Sequence, residues 1–313
     1  MTHHIFIVNP AAGKADRSEA IEKAINSARE QNAVTGEVTV YRTSCAGDAT
    51  AYLTRTLPDL EGDVRVYACG GDGTLNEVVR GVYAAGNPKV SLGVIPTGSG
   101  NDFIRSFTIP ESSFRSVRDM MNGTITPIDL IRVTDEEGKE YVCINVASAG
   151  FDAAVCRRMQ SFRRIPMMGG SVAYNMALVR QFVSHLGHKF DVYGDGKPMK
   201  TPNKDEYLFA LVANGEYYGG GYHCSPESSL SDGLLNLIMI EAIPRIQFPG
   251  LLGPYRKGEY FEKMASKMLH KTVKTVEFRG DTPLDMNLDG EIISLKDPTL
   301  TVIHNAINLI LPR

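Results

Sequence analysis

The chain has 313 residues, 43% of them hydrophobic and 22% charged, with a formal net charge of −3. This composition is typical of a globular protein large enough for two domains, and it gives no overall positive charge for binding nucleic acid. The five cysteines form no C-x-x-C pair, no run is apolar enough to span a bilayer, and the N-terminus is not a signal peptide, so we expect a cytosolic protein without a disulfide framework.

The first 125 or so residues alternate short apolar runs with helical patterns. "IFIV" (5–8) precedes a segment in which Ala20, Ile21, Ala24, Ile25 and Ala28 share one helical face. The runs "EVTVYRT", "VRVYACGG" and "VSLGVIP" each precede a further helical pattern. Strand–helix alternation of this kind predicts a parallel sheet with flanking helices.

From about Thr126 the pattern changes to apolar runs that are joined by turns. Such a pattern predicts a mainly antiparallel β-sandwich, interrupted by helical segments at 171–186 and 243–270. We therefore predict an α/β domain over 1–127 and a β-sandwich domain over 128–299, with the segment 300–313 returning to the first domain. The basic stretch 156–168, "CRRMQSFRRIPMM", is interpreted as a solvated loop.

Four polar or glycine-rich loops follow the predicted parallel strands: "NPAAGK" (9–14), "TSCAGD" (43–48), "GGDGT" (70–74) and "PTGSGND" (96–102). The carboxyl ends of parallel strands form one edge of a sheet, where ligands bind. Glycines there expose backbone N–H groups to an anion, Asp72 is placed to bind a metal or a ribose hydroxyl, and Thr74 is placed to cap the following helix. "GGDGT" matches neither the Walker loop nor G-x-G-x-x-G, so both of those nucleotide sites are disfavoured.

The stretch "PLDMNLDGE" (283–291) alternates in the manner of a strand. Leu284, Met286 and Leu288 are predicted to face inward, while the polar residues, including Asp289, lie on the opposite face. By itself this stretch is also compatible with an ordinary Asp-Gly hairpin, and the Ser-Asp-Gly at 231–233 is equally compatible with a turn.

The motifs, taken in order, resemble the diacylglycerol kinase catalytic-domain family, in particular its soluble bacterial lipid kinases. The resemblance rests on "NPAAGK", "GGDGTLNEV", "PTGSGNDF", "PIDL" (127–130), "GFDA" (150–153), "GGGYHCSP" (219–226), "SDGLL" (231–235) and "NLDGE" (287–291). It implies a nucleotide-binding α/β domain followed by a β-sandwich domain, with the active site in the cleft between them. NAD kinases share "GGDGT…NE" and this architecture, so they are the nearest alternative.

The resemblance also implies roles for individual residues. It places a catalytic base at Asp289 or Glu291 and implies a structural Mg²⁺ bound by Asp232, Ser229 and the backbone of Leu234. In addition, we expect a metal near Asp72 and Asp102 to neutralise charge during phosphoryl transfer, with Asp72 as a catalytic residue. Ser229 stands where some relatives have Asp. The positions expected to bind ATP, from the loops and the resemblance together, are Asn9, Pro10, Gly13, Lys14, Thr43, Gly70, Gly71, Asp72, Gly73, Thr74, Asn76, Glu77, Thr97, Ser99, Asn101 and Asp102.

The function that this implies is ATP- and Mg²⁺-dependent phosphorylation of a lipid hydroxyl, with diacylglycerol or a related lipid as the acceptor. An NAD kinase-like activity on a soluble acceptor and a catalytically silent lipid- or nucleotide-binding protein are the alternatives. Because a lipid acceptor lies in a bilayer, we expect the protein to bind reversibly to the inner face of an anionic membrane. The two basic segments expected to provide it are the insertion 243–270 and the arginine cluster Arg157, Arg158, Arg163 and Arg164. Nucleic acid is not expected as a partner, and a homodimer is left open.

Overall fold

The computed structural model describes residues 2–30, 36–163 and 186–313. The described chain divides into two compact units: residues 1–130, 219–221 and 304–313 form the first, and residues 131–218 and 222–303 form the second. The division after Leu130 lies three residues beyond the predicted boundary. The helix predicted at 171–186 falls almost wholly outside the described residues.

The first unit contains a parallel sheet with the strand order β2-β1-β3-β4-β18, and β18 contributes its last residues to it. The strands are β1 (Thr2–Val8), β2 (Glu37–Arg42), β3 (Asp63–Gly70), β4 (Val90–Pro96) and β18 (Thr299–Leu311). The helices are α1 (Ser18–Glu30), α2 (Asp48–Thr56), α3 (Asp72–Ala85), α4 (Glu111–Arg115) and α5 (Val117–Met121).

The burial of these elements explains why the sequence forms them. Every residue of β4 is buried, as in a strand covered on both faces, and this accounts for its unbroken apolar run. On α1 the buried residues include Ile21, Ile25 and Ala28, whereas Ala20 is exposed. The helical face predicted from the sequence is therefore correct in its central residues.

The second unit contains a six-stranded antiparallel sheet with the order β14-β13-β10-β7-β16-β17 and a second group of strands that includes β6, β8, β9 and β15. Strand β5 (Thr124–Thr134) begins in the first unit and ends in the second. The other strands are β6 (Glu140–Cys143), β7 (Val146–Gly150), β8 (Asp191–Gly194), β9 (Lys197–Met199), β10 (Tyr207–Ala213), β11 (Tyr217–Tyr218), β12 (Tyr222–His223), β13 (Leu235–Glu241), β14 (Met268–Val273), β15 (Thr275–Arg279), β16 (Leu284–Leu288) and β17 (Glu291–Leu295). The helices are α6 (Phe151–Arg163), α7 (Phe248–Lys257) and α8 (Tyr260–Met264).

The six-stranded sheet is covered on both of its faces. Along β10, Ala210 and Val212 pack into a core shared with the second group of strands. Phe209 and Leu211 point to the other face and pack with residues of α6, α7 and α8. This is the sandwich predicted from the sequence, with helices added on one side, and the predicted fold class is confirmed.

The prediction for the basic stretch 156–168 is wrong where the structure describes it. The stretch from Cys156 to Arg163 was interpreted as part of a solvated loop, but it continues helix α6. At the start of this basic stretch, the guanidinium of Arg157 pairs with the carboxylate of Asp285 on β16. The side chains of the remaining arginines of the predicted cluster lie outside the described residues.

Candidate active site

The glycine-rich loops after β3 and β4 lie against each other without intervening side chains. The carbonyl of Gly70 accepts hydrogen bonds from the amides of Thr97 and Gly98, at 2.8 and 3.3 Å. A Cβ atom added at Gly98 would stand 2.4 Å from the Cα of Gly71. At Gly13, where φ is +79°, an added Cβ would stand 2.3 Å from the carbonyl oxygen of Thr97. Three of the predicted loops therefore meet at one edge of the sheet, as the sequence predicts.

Side chains of two other residues connect the loops after β1 and β3. The side-chain nitrogen of Asn9 donates to the hydroxyl of Thr74 at 2.9 Å, and the side-chain oxygen of Asn9 accepts from the backbone amide of Ala11. Helix α3 begins at Asp72, with Gly71 as its N-cap and no capping side chain. The prediction that Thr74 caps this helix is wrong, because Thr74 lies within the first turn and binds Asn9 instead.

Two carboxylates, Asp72 and Asp102, occupy the same edge. One oxygen of Asp72 accepts from the amides of Asp102 and Phe103, at 2.7 and 3.3 Å. One oxygen of Asp102 accepts from the amide of Gly220 at 2.6 Å, and the other lies 3.5 Å from Nε of Arg105. Burial, together with the negative charge of Asp102, raises the pKa of Asp72 to about 6, and burial also raises the pKa of Asp102.

This pair suits a divalent cation. Mg²⁺ is commonly bound by one or two carboxylates together with substrate phosphates and retained waters. Among the described residues, no cluster of three or more histidine, cysteine, aspartate or glutamate side chains could hold a metal ion. A cation bound by Asp72 and Asp102 would have to take its remaining ligands from water and phosphate.

The remaining residues predicted to bind ATP differ in their accessibility. The exposed positions are Lys14, Gly73 and Ser99, and the half-buried ones are Pro10, Thr43, Thr97 and Glu77. Asn76 is fully buried within α3, and neither polar atom of its side chain has a hydrogen-bond partner among the described residues. Asn101 is nearly buried with φ of 53°, and its amide group donates to the carbonyl of Gly98 at 3.0 Å.

In the second unit, the carboxylate of Asp289 is held by backbone amides. It accepts from the amides of Ile144, Asn145 and Val146, at 2.7, 3.1 and 2.9 Å. Burial raises the pKa of Asp289, although these hydrogen bonds oppose the shift. Glu291, two residues on, is half-buried at the start of β17. The predicted alternation is confirmed, because Met286 and Leu288 pack into the core.

The predicted structural-metal site forms a turn. The carboxylate of Asp232 accepts from the amide of Leu234 at 2.9 Å, and Gly233 has φ of 72°. Asp232 is exposed, and Ser229 is half-buried. Asp232, Ser229 and the Leu234 carbonyl would each offer an oxygen, the kind of ligand that Mg²⁺ prefers. Because only Asp232 provides a carboxylate, the bound ion would keep several water ligands.

Sequence reasoning assigned no role to Asp129, which is fully buried. Its carboxylate accepts from the imidazole of His304 and the amide of Asn305, both at 2.8 Å. The signal was present in "PIDL", where an aspartate interrupts a buried strand. Arg105 and Gly220, the partners of Asp102, were also missed, since neither position carries a pattern that indicates this contact.

Comparison with known proteins gives two family matches that together cover most of the chain. Residues 3–133 match the diacylglycerol kinase catalytic domain, and residues 145–311 match the YegS C-terminal NAD kinase β-sandwich-like domain. The chain is 27% identical to a diacylglycerol kinase of Bacillus subtilis, over 98% of this chain and 96% of the relative. It is 29% identical to a probable lipid kinase YegS-like of Yersinia enterocolitica, over 100% of this chain and 98% of the relative.

A solved structure shows the same fold. A putative diacylglycerol kinase from Bacillus anthracis superimposes with a TM-score of 0.73 and 20% identity, covering 98% of this chain and 96% of that one. Within the described residues, no helix is long and apolar enough to cross a membrane.

Proposed function

Because the chain belongs to the family that joins a diacylglycerol kinase catalytic domain to a YegS-type C-terminal domain, we propose that it transfers a phosphoryl group from ATP, with Mg²⁺, to a lipid hydroxyl. Diacylglycerol or a related lipid is the proposed acceptor. The observation that carries the proposal is the edge of the parallel sheet where the glycine-rich loops meet beside Asp72 and Asp102.

The loops provide the phosphate-binding end. Phosphoryl transfer requires positioning and charge neutralisation more than covalent chemistry from the protein. Where glycine packs against glycine, no side chain stands between the backbone and an approaching phosphate. Helix α3 begins here, at Asp72, and the N-terminus of a helix favours an anion. Exposed Lys14 and Ser99 add a positive charge and a hydroxyl.

Asp72 and Asp102 would hold the catalytic cation. When bound, Mg²⁺ neutralises the charge on the phosphates. The protein contributes two carboxylates whose orientations are set by backbone amides. In the second unit, Asp232, Ser229 and the Leu234 carbonyl would hold a separate, structural Mg²⁺.

Asp289 and Glu291 are proposed to supply the base that accepts the proton of the lipid hydroxyl. A general base works best when its pKa lies near the operating pH, and burial moves the pKa of Asp289 in that direction. Three backbone amides also fix the orientation of its carboxylate. Glu291 is the second candidate, because it follows Asp289 after a single glycine.

The test is a kinase assay with labelled ATP and Mg²⁺ against a panel of lipids in mixed micelles, with NAD included as a soluble acceptor. We expect label in a lipid, foremost diacylglycerol, and none in NAD. The second candidate function, phosphorylation of NAD or another soluble acceptor, is favoured by the match of residues 145–311 to an NAD kinase-like sandwich domain. Label in NAD alone would establish that alternative, and label in no acceptor would contradict both.

A further inference from the structure

Helix α7 is preceded by a short turn that presents an isoleucine to solvent. Ile246 is 89% exposed, and Ile125, at 49%, is the other exposed large hydrophobic residue in the described part of the chain. The turn Arg245–Gln247 is a single 3₁₀ turn between Pro244 and α7. Single exposed hydrophobic residues are common, so the surroundings of Ile246 must decide whether it has a role.

Helix α7 has one buried face and one face that is exposed to solvent. Its buried face, formed by Phe248, Leu251 and Tyr255, packs against the six-stranded sheet. The outward face begins at Ile246 and continues at spacings of three or four residues through the exposed Pro249, Gly250, Gly253, Arg256 and Lys257. The outward face therefore has an apolar end at Ile246 and a cationic end at Arg256 and Lys257. The residues between these ends are small, so they do not keep the face away from a flat surface.

The charge of the segment is opposite in sign to that of the whole protein. From Pro244 to Lys267 there are five basic residues and two acidic ones, while the whole chain has a net charge of −3. Four of the basic side chains are exposed and that of Lys267 is half-buried. The five basic residues are Arg245, Arg256, Lys257, Lys263 and Lys267.

We propose that this segment, Pro244 to Lys267, is an interfacial docking surface for an anionic lipid bilayer. Ile246 inserts at the level of the headgroups, and the basic side chains contact the anionic lipids with their charged ends. The inference rests on the proposed function in one respect, namely that the acceptor is a lipid of a bilayer. It also goes beyond that function, because it assigns membrane contact to one segment, which contains the turn Arg245–Gln247 and the helices α7 and α8.

The basic side chains and the inserted isoleucine should contribute separately to vesicle binding, so each can be removed by its own variant. Each basic residue near an anionic surface contributes about a fivefold gain in partitioning, and this gain decreases as salt rises. Reversing the charge at two of these positions, as in Lys257→Glu with Lys263→Glu, should weaken binding by about 25-fold or more. Loss of one inserted aliphatic side chain, in Ile246→Ser, should weaken it by about tenfold.

The experiment is flotation of the full-length protein with vesicles of phosphatidylcholine alone or mixed with phosphatidylglycerol, at low and high salt. Ile125→Ser is the matched control for the apolar change, and Lys197→Glu with Lys274→Glu is the matched control for the charge change, since both lysines are exposed elsewhere in the second unit. We expect binding to the anionic vesicles at low salt, reduced by the segment variants and unchanged by the controls. Equal binding to both vesicle types, equal losses with the controls, or no binding would overturn the proposal.

A second measurement separates this inference from the proposed function. Phosphorylation of a water-soluble, short-chain diacylglycerol requires no membrane, so Ile246→Ser should leave it unchanged while slowing phosphorylation of diacylglycerol in anionic vesicles. If the vesicles are bound as expected but no lipid is phosphorylated, the docking surface stands and the proposed activity fails. If the short-chain lipid is phosphorylated but vesicles are not bound, the activity stands and the docking surface fails.

Discussion

Replacing Asp72 with asparagine should stabilise the fold at neutral pH while removing most of the activity. The pKa of Asp72 rises from its ordinary 3.8 to about 6, because burial and the charge of Asp102 disfavour the carboxylate. A shift of this size corresponds to ~3 kcal/mol. Because Asp72 keeps some contact with solvent, we expect about half of that value, ~1–2 kcal/mol, as the gain in unfolding free energy.

The pH dependence gives the sign of the effect. Between pH 3.8 and about 6 the folded protein retains a proton at Asp72 that the unfolded chain has lost. The wild-type protein therefore loses stability as the pH rises through this window, and asparagine does not. The advantage of Asp72→Asn should be near zero below pH 4 and reach its full value above pH 6. Its side-chain oxygen can still accept from the two amides that bind Asp72, so the local structure is retained.

The assay is urea unfolding of both proteins in EDTA from pH 4 to 8, together with turnover under the kinase conditions. Asp48→Asn is the control, because the hydrogen bonds that Asp48 accepts from Ser44 and Tyr41 lower its pKa, so the opposite sign is expected. Turnover of Asp72→Asn should fall by about 10²–10³-fold, the usual cost of one lost electrostatic contact in a transition state. A variant that is less stable than wild type at pH 7, or that retains normal turnover, would refute the reasoning.

Three further predictions concern other residues of the site. Gly98→Ala should destabilise the fold by about 1–3 kcal/mol and so lower the melting temperature, because the added methyl group would overlap the facing loop. Gly73→Ala is the control, since the space around Gly73 is open, and it should leave the melting temperature unchanged. Equal melting temperatures for the two variants would contradict the packing of the loops. Asp289→Asn should reduce both turnover and melting temperature, because the new amide group places an N–H donor against backbone amides. Glu291→Gln should reduce turnover alone. An unchanged melting temperature for Asp289→Asn would contradict the hydrogen bonds between the Asp289 carboxylate and these backbone amides. Asp232→Ala should lower the melting temperature more in Mg²⁺ than in EDTA, and an equal effect in both would leave only a turn at this position.

Much of the fold was predictable because its signals are periodic and local. The alternation of strands and helices before residue 126 predicted the parallel sheet, and "PLDMNLDGE" placed Met286 and Leu288 in the core. The stretch from Cys156 to Arg163 was not predictable in this way. The spacing of its arginines in the sequence lacks the amphipathic pattern that indicates a helix. The first turns of α6 instead pack against the sheet through Phe151 and Val155.

The site was predictable as a set of loops but not as a set of contacts. Glycines and carboxylates at strand ends indicated where the loops after β1, β3 and β4 would meet. The contacts between Asp102 and Gly220, and between Asp129 and His304, join residues more than a hundred positions apart in the sequence. No local pattern encodes such pairs, because they depend on how distant strands are placed beside one another.

The physical difference between the two carboxylate groups supports the division of roles proposed for them. The pKa of Asp72 is raised partly by a neighbouring negative charge, that of Asp102. A cation bound between such carboxylates removes this repulsion and gains affinity from it. The pKa of Asp289 is raised by burial, without a neighbouring acid among its causes. At Asp289 there is no such repulsion for a cation to remove, and a proton from a bound hydroxyl would neutralise the buried charge. The proposed division therefore places the metal at the pair of carboxylates that repel each other and the proton acceptor at the carboxylate that has no such neighbour.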